Sequence, residues 1–169
     1  MTQNADDGMP QGRKVALLFG LAALVVVADL WTKVAFERAF FGQPTLNLLG
    51  GTVRVGFVLN TGVFLSLGHA LAPETRFWLF VVGVGGVLLL LVGLTVKDAR
   101  FRASEVAAVA AIVGGGVGNL VDRVRLGAVR DFLNVGIGPL RTGIFNLADV
   151  AITFGGIALI LLPFIRKRR

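Results

Sequence analysis

The chain has no cysteine, one histidine (His69) and only two serines, Ser66 and Ser104, in 169 residues. Without thiols there are no disulfides, thiolate metal sites or cysteine nucleophiles, and the redox compartment leaves no trace. A single histidine between Gly68 and Ala70 gives little support to a His–Ser–Asp triad or a histidine zinc site. Ser104 lies in a short link away from the other polar groups, and Ser66 leaves open a Ser–Lys dyad with Lys33. Charge is scarce as well: 16% of residues are charged and 55% hydrophobic, too few polar groups for an ordinary soluble surface. No glycine-rich loop leads into a helix carrying Lys and Ser/Thr, so "GGGVG" (114–118) reads as packing and not as a phosphate cradle.

Present instead are four apolar runs long enough to cross a bilayer, which takes about 20 residues. They span about 15–35, 77–96, 106–121 and 144–165. With a mean hydropathy of +0.80, the chain reads as one integral membrane domain over residues 1–169. The net charge of +7 sits beside the apolar runs, which points to anionic lipid headgroups and away from nucleic acid. The first run, followed by "VVAD", also fits a secretory signal cut after Ala28. That reading discards Asp29 and Lys33, and a retained helix is preferred.

Basic residues cluster tightly at Arg13–Lys14, at Lys97, Arg100 and Arg102, and at Arg166 to Arg169, which puts both termini in the cytoplasm. The two longer connections then lie outside. In the first, Val53, Val55, Phe57 and Leu59 alternate with Thr52, Arg54, Gly56 and Val58, a period of two that argues for a strand with one apolar face. A turn follows at "NTG", Asn60 to Gly62. A small β platform over about 43–72 is expected at the outer membrane–water boundary. The second connection, 124–143, is rich in glycine and holds Pro139, and reads as a loop or short helix. The fold class is thus mainly α: four transmembrane helices, a small periplasmic β cradle and an outer loop or short helix.

In this topology every polar interruption falls in the outer leaflet. Asp29 and Lys33 lie near the far end of helix 1, and Asn119, Asp122 and Arg123 end helix 3. Asn146 and Asp149 lie in the opening turns of helix 4, with Asp149 roughly 8 Å along it from Ile144. Ionisable groups at such depth face the bundle interior and pair. Asp29 and Lys33 are four apart, while Asn119/Asp122 and Asn146/Asp149 are three apart, each set on one helical face. Gly114 and Gly118 allow close helix approach. Mere helix-to-helix bonding by these groups remains an alternative.

With His, Cys and Ser schemes set aside, carboxylates remain. Asp131 in "VRDF" and Asp149 both lie outside. Two carboxyls at one site share a proton, so one serves as base on a water while the other is the acid. By spacing alone, a cap on helix 4 or a pair with Arg123 accounts for Asp149 equally well. Two further readings stay open. A proton or cation path requires polar groups through the whole membrane thickness, and the inner halves of the runs are apolar. An inactive assembly subunit tolerates loss of either aspartate.

"ADLWTK" (28–33), "NTG" (60–62), "GNLVDR" (118–123), "VRDF" (129–132) and "FNLAD" (145–149) resemble, in that order, the motifs of the lipoprotein signal peptidases (signal peptidase II). The resemblance runs from helix 1 to helix 4. It implies a bacterial inner-membrane, multi-pass aspartic endopeptidase that cuts the signal peptide from prolipoproteins just before a diacylglyceryl-modified cysteine. The partners implied are those prolipoproteins and membrane lipids. Neither metal nor cofactor is expected, and a monomer is. Asp131 and Asp149 match the catalytic pair. Asp29, Lys33, Asn60, Gly62, Asn119, Asp122, Arg123, Phe145, Asn146 and Ala148 match supporting or substrate-binding positions. Two departures stand out. Val63, Phe64 and Leu65 follow "NTG" where small residues and then Phe are usual. Arg130 precedes Asp131 where an apolar residue is common, and an inward guanidinium would depress the pKa of Asp131.

Overall fold

The structure is a computed structural model and describes residues 9–62 and 71–167. Ser66, His69, Val63, Phe64, Leu65 and the rest of residues 63–70 of the expected 43–72 cradle lie outside the described residues. Four helices form the body: α1 (Gln11–Phe40), α2 (Pro73–Lys97), α3 (Ala103–Leu126) and α4 (Leu147–Lys167). All four are long and apolar enough to cross a membrane. α2 contains one π-helical turn, Trp78–Gly83. The outward faces carry bare apolar side chains such as Trp31, Leu89 and Phe154, as expected of surfaces that meet acyl chains and not water.

α3 is the central helix. Its Val106, Val109, Ala110 and Val113 pack with Leu18 and Ala22 of α1 to form the buried core. The triple glycine lets three neighbours approach at once. A Cβ on Gly114 would meet the Ala22 carbonyl of α1, one on Gly115 the Ala148 carbonyl of α4, and one on Gly116 the Leu88 side chain of α2. Gly118, one turn beyond Gly114, makes room for the Asp29 carboxylate of α1. The small-xxx-small pair therefore faces α1.

At one end of the bundle Lys14, buried within α1, donates to the Asp98 carbonyl at 2.7 Å, just past the end of α2, where the same oxygen accepts the Phe101 N–H at 3.4 Å. At the other end stands a four-stranded antiparallel sheet, β1 (Leu46–Leu48), β2 (Val53–Asn60), β3 (Val129–Ile137) and β4 (Leu140–Arg141), in that spatial order.

Three expectations need correction. The 124–143 connection is not a loop or short helix: residues 129–137 form the longest strand. Gly138, with φ +56°, and Pro139 mark the turn between β3 and β4, Gly127 ends α3, and Gly136 alone lies inside the strand. The expected apolar face of β2 is broken by a register shift. Val55 pairs with Leu133 but Val58 with Asp131, three steps against two, so one extra residue sits on β2. This β-bulge turns Val58 and Asn60 onto the face of Val53 and Val55. Finally, α4 starts at Leu147 and not near Ile144, because Phe145 pairs with Leu133 of β3 and keeps the chain extended to that point. Asp149 therefore lies in the first turn of α4, shallower than expected.

Candidate active site

The start of α4 is held by reciprocal hydrogen bonds. Asn146 Oδ1 accepts the Asp149 N–H at 3.0 Å, and Asp149 Oδ2 accepts the Asn146 N–H at 3.1 Å. This is a capping box with Asn at the cap and Asp three residues on. The Ala148 N–H, another orphan donor of the first turn, is accepted by Asp29 Oδ1 of α1 at 2.9 Å. Asp149 does cap its helix, yet its second oxygen turns elsewhere and accepts Asn119 Nδ2 of α3 at 2.9 Å.

Asp131 comes from β3 and reaches the same residue. Asn146 Nδ2 donates to Asp131 Oδ1 at 2.7 Å and to Asn119 Oδ1 at 3.1 Å. Asn60 Nδ2 donates to Asp131 Oδ2 at 2.8 Å, while Asn60 Oδ1 accepts the Gly62 N–H at 2.9 Å. The bulge in β2 brings Asn60 to this face, and the Gly62 bond fixes which end of the amide meets the carboxylate. Asp131 is 2% exposed. Burial, together with the negative charge of Asp149, pushes its carboxyl up to about 6, although the Asn60 and Asn146 hydrogen bonds pull the other way.

Behind the pair lies a buried ionic chain. Lys33 Nζ is 2.7 Å from Asp29 Oδ2, 2.8 Å from Asn119 Oδ1 and 3.4 Å from Asp122 Oδ2. Lys33, Asp29 and Asp122 are fully buried, so a Ser–Lys role for Lys33 would have to break these contacts. Arg130, next to Asp131 on the strand, points to the opposite face. There it makes an ion pair of 2.6 Å with Asp122 and one of 3.0 Å with Glu37. The inward guanidinium envisaged beside Asp131 is therefore not found, since adjacent strand residues alternate. Arg123 lies between the Asn119 and Gly62 carbonyls, each 3.5 Å away, and its charge acts on Asp149 and Asp131.

Every expected supporting residue falls in or against this cluster. Phe145 acts through its backbone pairing with Leu133, which sets Asn146 beside Asp131. Two contributors went unnoticed in the sequence. Glu37 continues the four-residue spacing of Asp29 and Lys33 along α1, a signal that was there to be read. Phe36 stacks on Phe132 at 4.1 Å and braces β3 against α1, and nothing in the sequence marks that contact. Among the described residues no three His, Cys, Asp or Glu side chains are grouped as a metal site. Chemically, the cluster offers two carboxyls bonded to one asparagine, with a cation on either side.

A family model described as Signal peptidase (SPase) II matches residues 21–165. A lipoprotein signal peptidase from Sulfurihydrogenibium sp. (strain YO3AOP1) is 36% identical over 145 residues, covering 85% of this chain and 88% of the relative. Another, from Rhizorhabdus wittichii, is 37% identical over 151 residues, covering 85% and 83%. A solved bacterial membrane enzyme shares the fold, with a TM-score of 0.75 over 94% of this chain and 97% of its own at 24% identity.

Proposed function

The chain belongs to the signal peptidase II family, and from that membership we propose that it is an aspartic endopeptidase whose catalytic pair is Asp131 and Asp149. As a member it removes signal peptides from prolipoproteins during lipoprotein maturation. The observation that carries the aspartic reading is the shared partner: Asn146 donates to Asp131 through its side chain and to Asp149 through its backbone.

Asp131 is the member that holds a proton and Asp149 the base. A water between them attacks the scissile carbonyl carbon as Asp149 takes its proton, and Asp131 gives its proton to the carbonyl oxygen. The resulting diol collapses when Asp131 recovers a proton from one hydroxyl and Asp149 passes its own to the leaving nitrogen. The C–N bond breaks, a carboxylic acid and an amine leave, and both side chains return to their starting state. Lys33 and Asn119 hold Asp149 in place from behind, and Arg123 with the Gly62 turn is placed to take the substrate backbone.

The Lys14–Asp98 contact lies at the end of the bundle opposite the pair. With the basic residues concentrated there, the positive-inside rule puts that end and both termini in the cytoplasm. The pair then faces the outer leaflet of the inner membrane. There a diacylglyceryl-modified cysteine is anchored by its acyl chains, and the anchoring holds the bond just before it beside the carboxyls. In this reading the chain works as a monomer.

The direct test is cleavage by purified protein of two otherwise identical prolipoprotein peptides, one lipidated on the cysteine. The expected result is a single cut immediately before the lipidated cysteine, with the bare peptide left whole. Cleavage of both at equal rates contradicts the substrate assignment.

The acid role sets a pH dependence. With its pKa raised to about 6, Asp131 carries its proton below that pH and loses it above, so kcat/KM falls on the alkaline side with a midpoint near 6. The Asn60 hydrogen bond favours the charged form. Asn60→Leu removes it and moves that midpoint upward, which a kcat/KM profile against pH reads directly. An unmoved midpoint contradicts the acid role.

A further inference from the structure

The sheet has two unlike faces. Leu46 and Leu48 of β1 pair with Val55 and Val53, which pair in turn with Leu133 and Val135, and Ile137 pairs with Leu140. That face is apolar over these pairs, with Ile137 and Leu140 80% and 84% exposed, and carries Asn60 and Asp131 only at its other end. On the other face Asn47, Arg54 and Asn134 lie in cross-strand register. Here Thr45, Asn47, Arg54, Arg141 and Thr142 share the lining of a groove of about 550 Å³ with the apolar Phe132 and Ile144, and among the described residues the lining holds no acidic side chain.

Its two guanidiniums differ. Arg141 is tied down by neutral acceptors: Nε donates to Asn134 Oδ1, Nη1 to the Gly51 carbonyl at 2.9 Å and Nη2 to the Thr52 carbonyl at 3.3 Å. Arg54 is exposed, and among the described residues neither arginine has a carboxylate partner in an ion pair. Desolvation, and after it repulsion from Arg54, holds the Arg141 pKa below its ordinary value. A groove of ligand size thus carries two positive charges, one held by hydrogen bonds and one exposed, among hydroxyl, amide and apolar groups.

We propose that this groove binds the phosphodiester headgroup of an anionic phospholipid of the outer leaflet. With the exposed Ile137 and Leu140 seated at the acyl boundary, the opposite face and its groove are presented to the headgroup layer. Arg54 offers the planar fork that matches two phosphate oxygens, Arg141 adds its fixed charge, and Thr45, Asn47 and Thr142 complete the donors. Lipid capture there requires the sheet to lie at the membrane surface and is independent of the aspartate chemistry, so it is measured without substrate.

The test uses the full chain in nanodiscs of equimolar phosphatidylglycerol and phosphatidylcholine, with retained lipid counted by native mass spectrometry. The expected result is preferential retention of phosphatidylglycerol, reduced about fivefold in Arg54→Gln and largely kept in Arg54→Lys. Arg54 is exposed, so these variants fold, and a thermal melt checks that they do. Equal retention of the two lipids, or no change in Arg54→Gln, overturns the proposal. In a second arm inorganic phosphate is titrated into detergent-solubilised protein. Saturable binding that is lost in Arg54→Gln makes the occupant a soluble anion and also overturns it; no saturable binding leaves the lipid as the source.

Discussion

Asp131→Asn and Asp149→Asn each lower the rate of cleavage of a lipidated prolipoprotein by about 10³-fold or more, since each removes one half of the proton exchange and general acid–base groups typically contribute 10²–10⁴. The fold survives both. Asn at 149 keeps an oxygen for the Asn146 N–H, so the capping box is weakened by only about 1 kcal/mol. Asn at 131 keeps an acceptor for one of its two amide donors. This separates the two duties of Asp149. A residue that only capped α4 would shift the melting temperature of the variant and leave turnover near normal, whereas a catalytic one leaves the melt nearly in place and removes turnover. Release of the signal peptide, followed by chromatography beside a tryptophan-fluorescence melt, reads both at once. Cleavage at the normal rate by either variant contradicts the assignment.

Lys33→Met has the largest expected effect on stability. Lys33 is wholly buried between Asp29 and Asp122. Removing it leaves Asp29 with no cation, although Asp122 keeps Arg130. Breaking one side of a buried pair destabilises by about 3–5 kcal/mol because the remaining charge stays desolvated. The double variant Asp29→Asn/Lys33→Met restores part of that loss, since a neutral amide at 29 still accepts the Ala148 N–H. The four proteins of this cycle, unfolded in detergent, give the coupling directly. A loss below about 1 kcal/mol in Lys33→Met contradicts the buried ionic chain.

The sequence made some of this legible for definite physical reasons. A bilayer-length apolar run is a strong signal, so all four helices were placed, each shifted or lengthened at its ends. α1 gained most because its polar flanks, including Lys14 and Glu37, continue the helix beyond the hydrocarbon. The inverse held for β3. "LNVGI" (133–137) alternates as a strand should, but Gly136, Gly138 and Pro139 weigh as breakers when counted together, and only the pairing of Ile137 with Leu140 of β4 shows that the last two form a turn. The α3 glycines were readable as packing, but their division among three neighbouring helices was not.

The site was legible as residue types and less so as geometry. Spacing put Asp29 with Lys33 and Asn146 with Asp149, and both contacts formed, because helical neighbours three or four apart meet whatever the tertiary fold. The link from Asp131 to Asn146 depends on a β-bulge and on Phe145 pairing with Leu133, two long-range events with no local signature. Arg130 shows the same limit. Beside an aspartate in sequence, it turns away to Asp122 and Glu37, because a strand sends neighbours to opposite faces.

The claim on which the rest turns is that Asp131 keeps a proton under conditions where ordinary carboxyls have lost theirs. Carbon-13 NMR of protein labelled at the aspartate carboxyls, titrated with pH and assigned by comparison with Asp131→Asn, measures this directly. One resonance with a midpoint near 6, absent from the variant, is the expected result. An Asp131 signal that titrates with the ordinary carboxyls near 4 contradicts it.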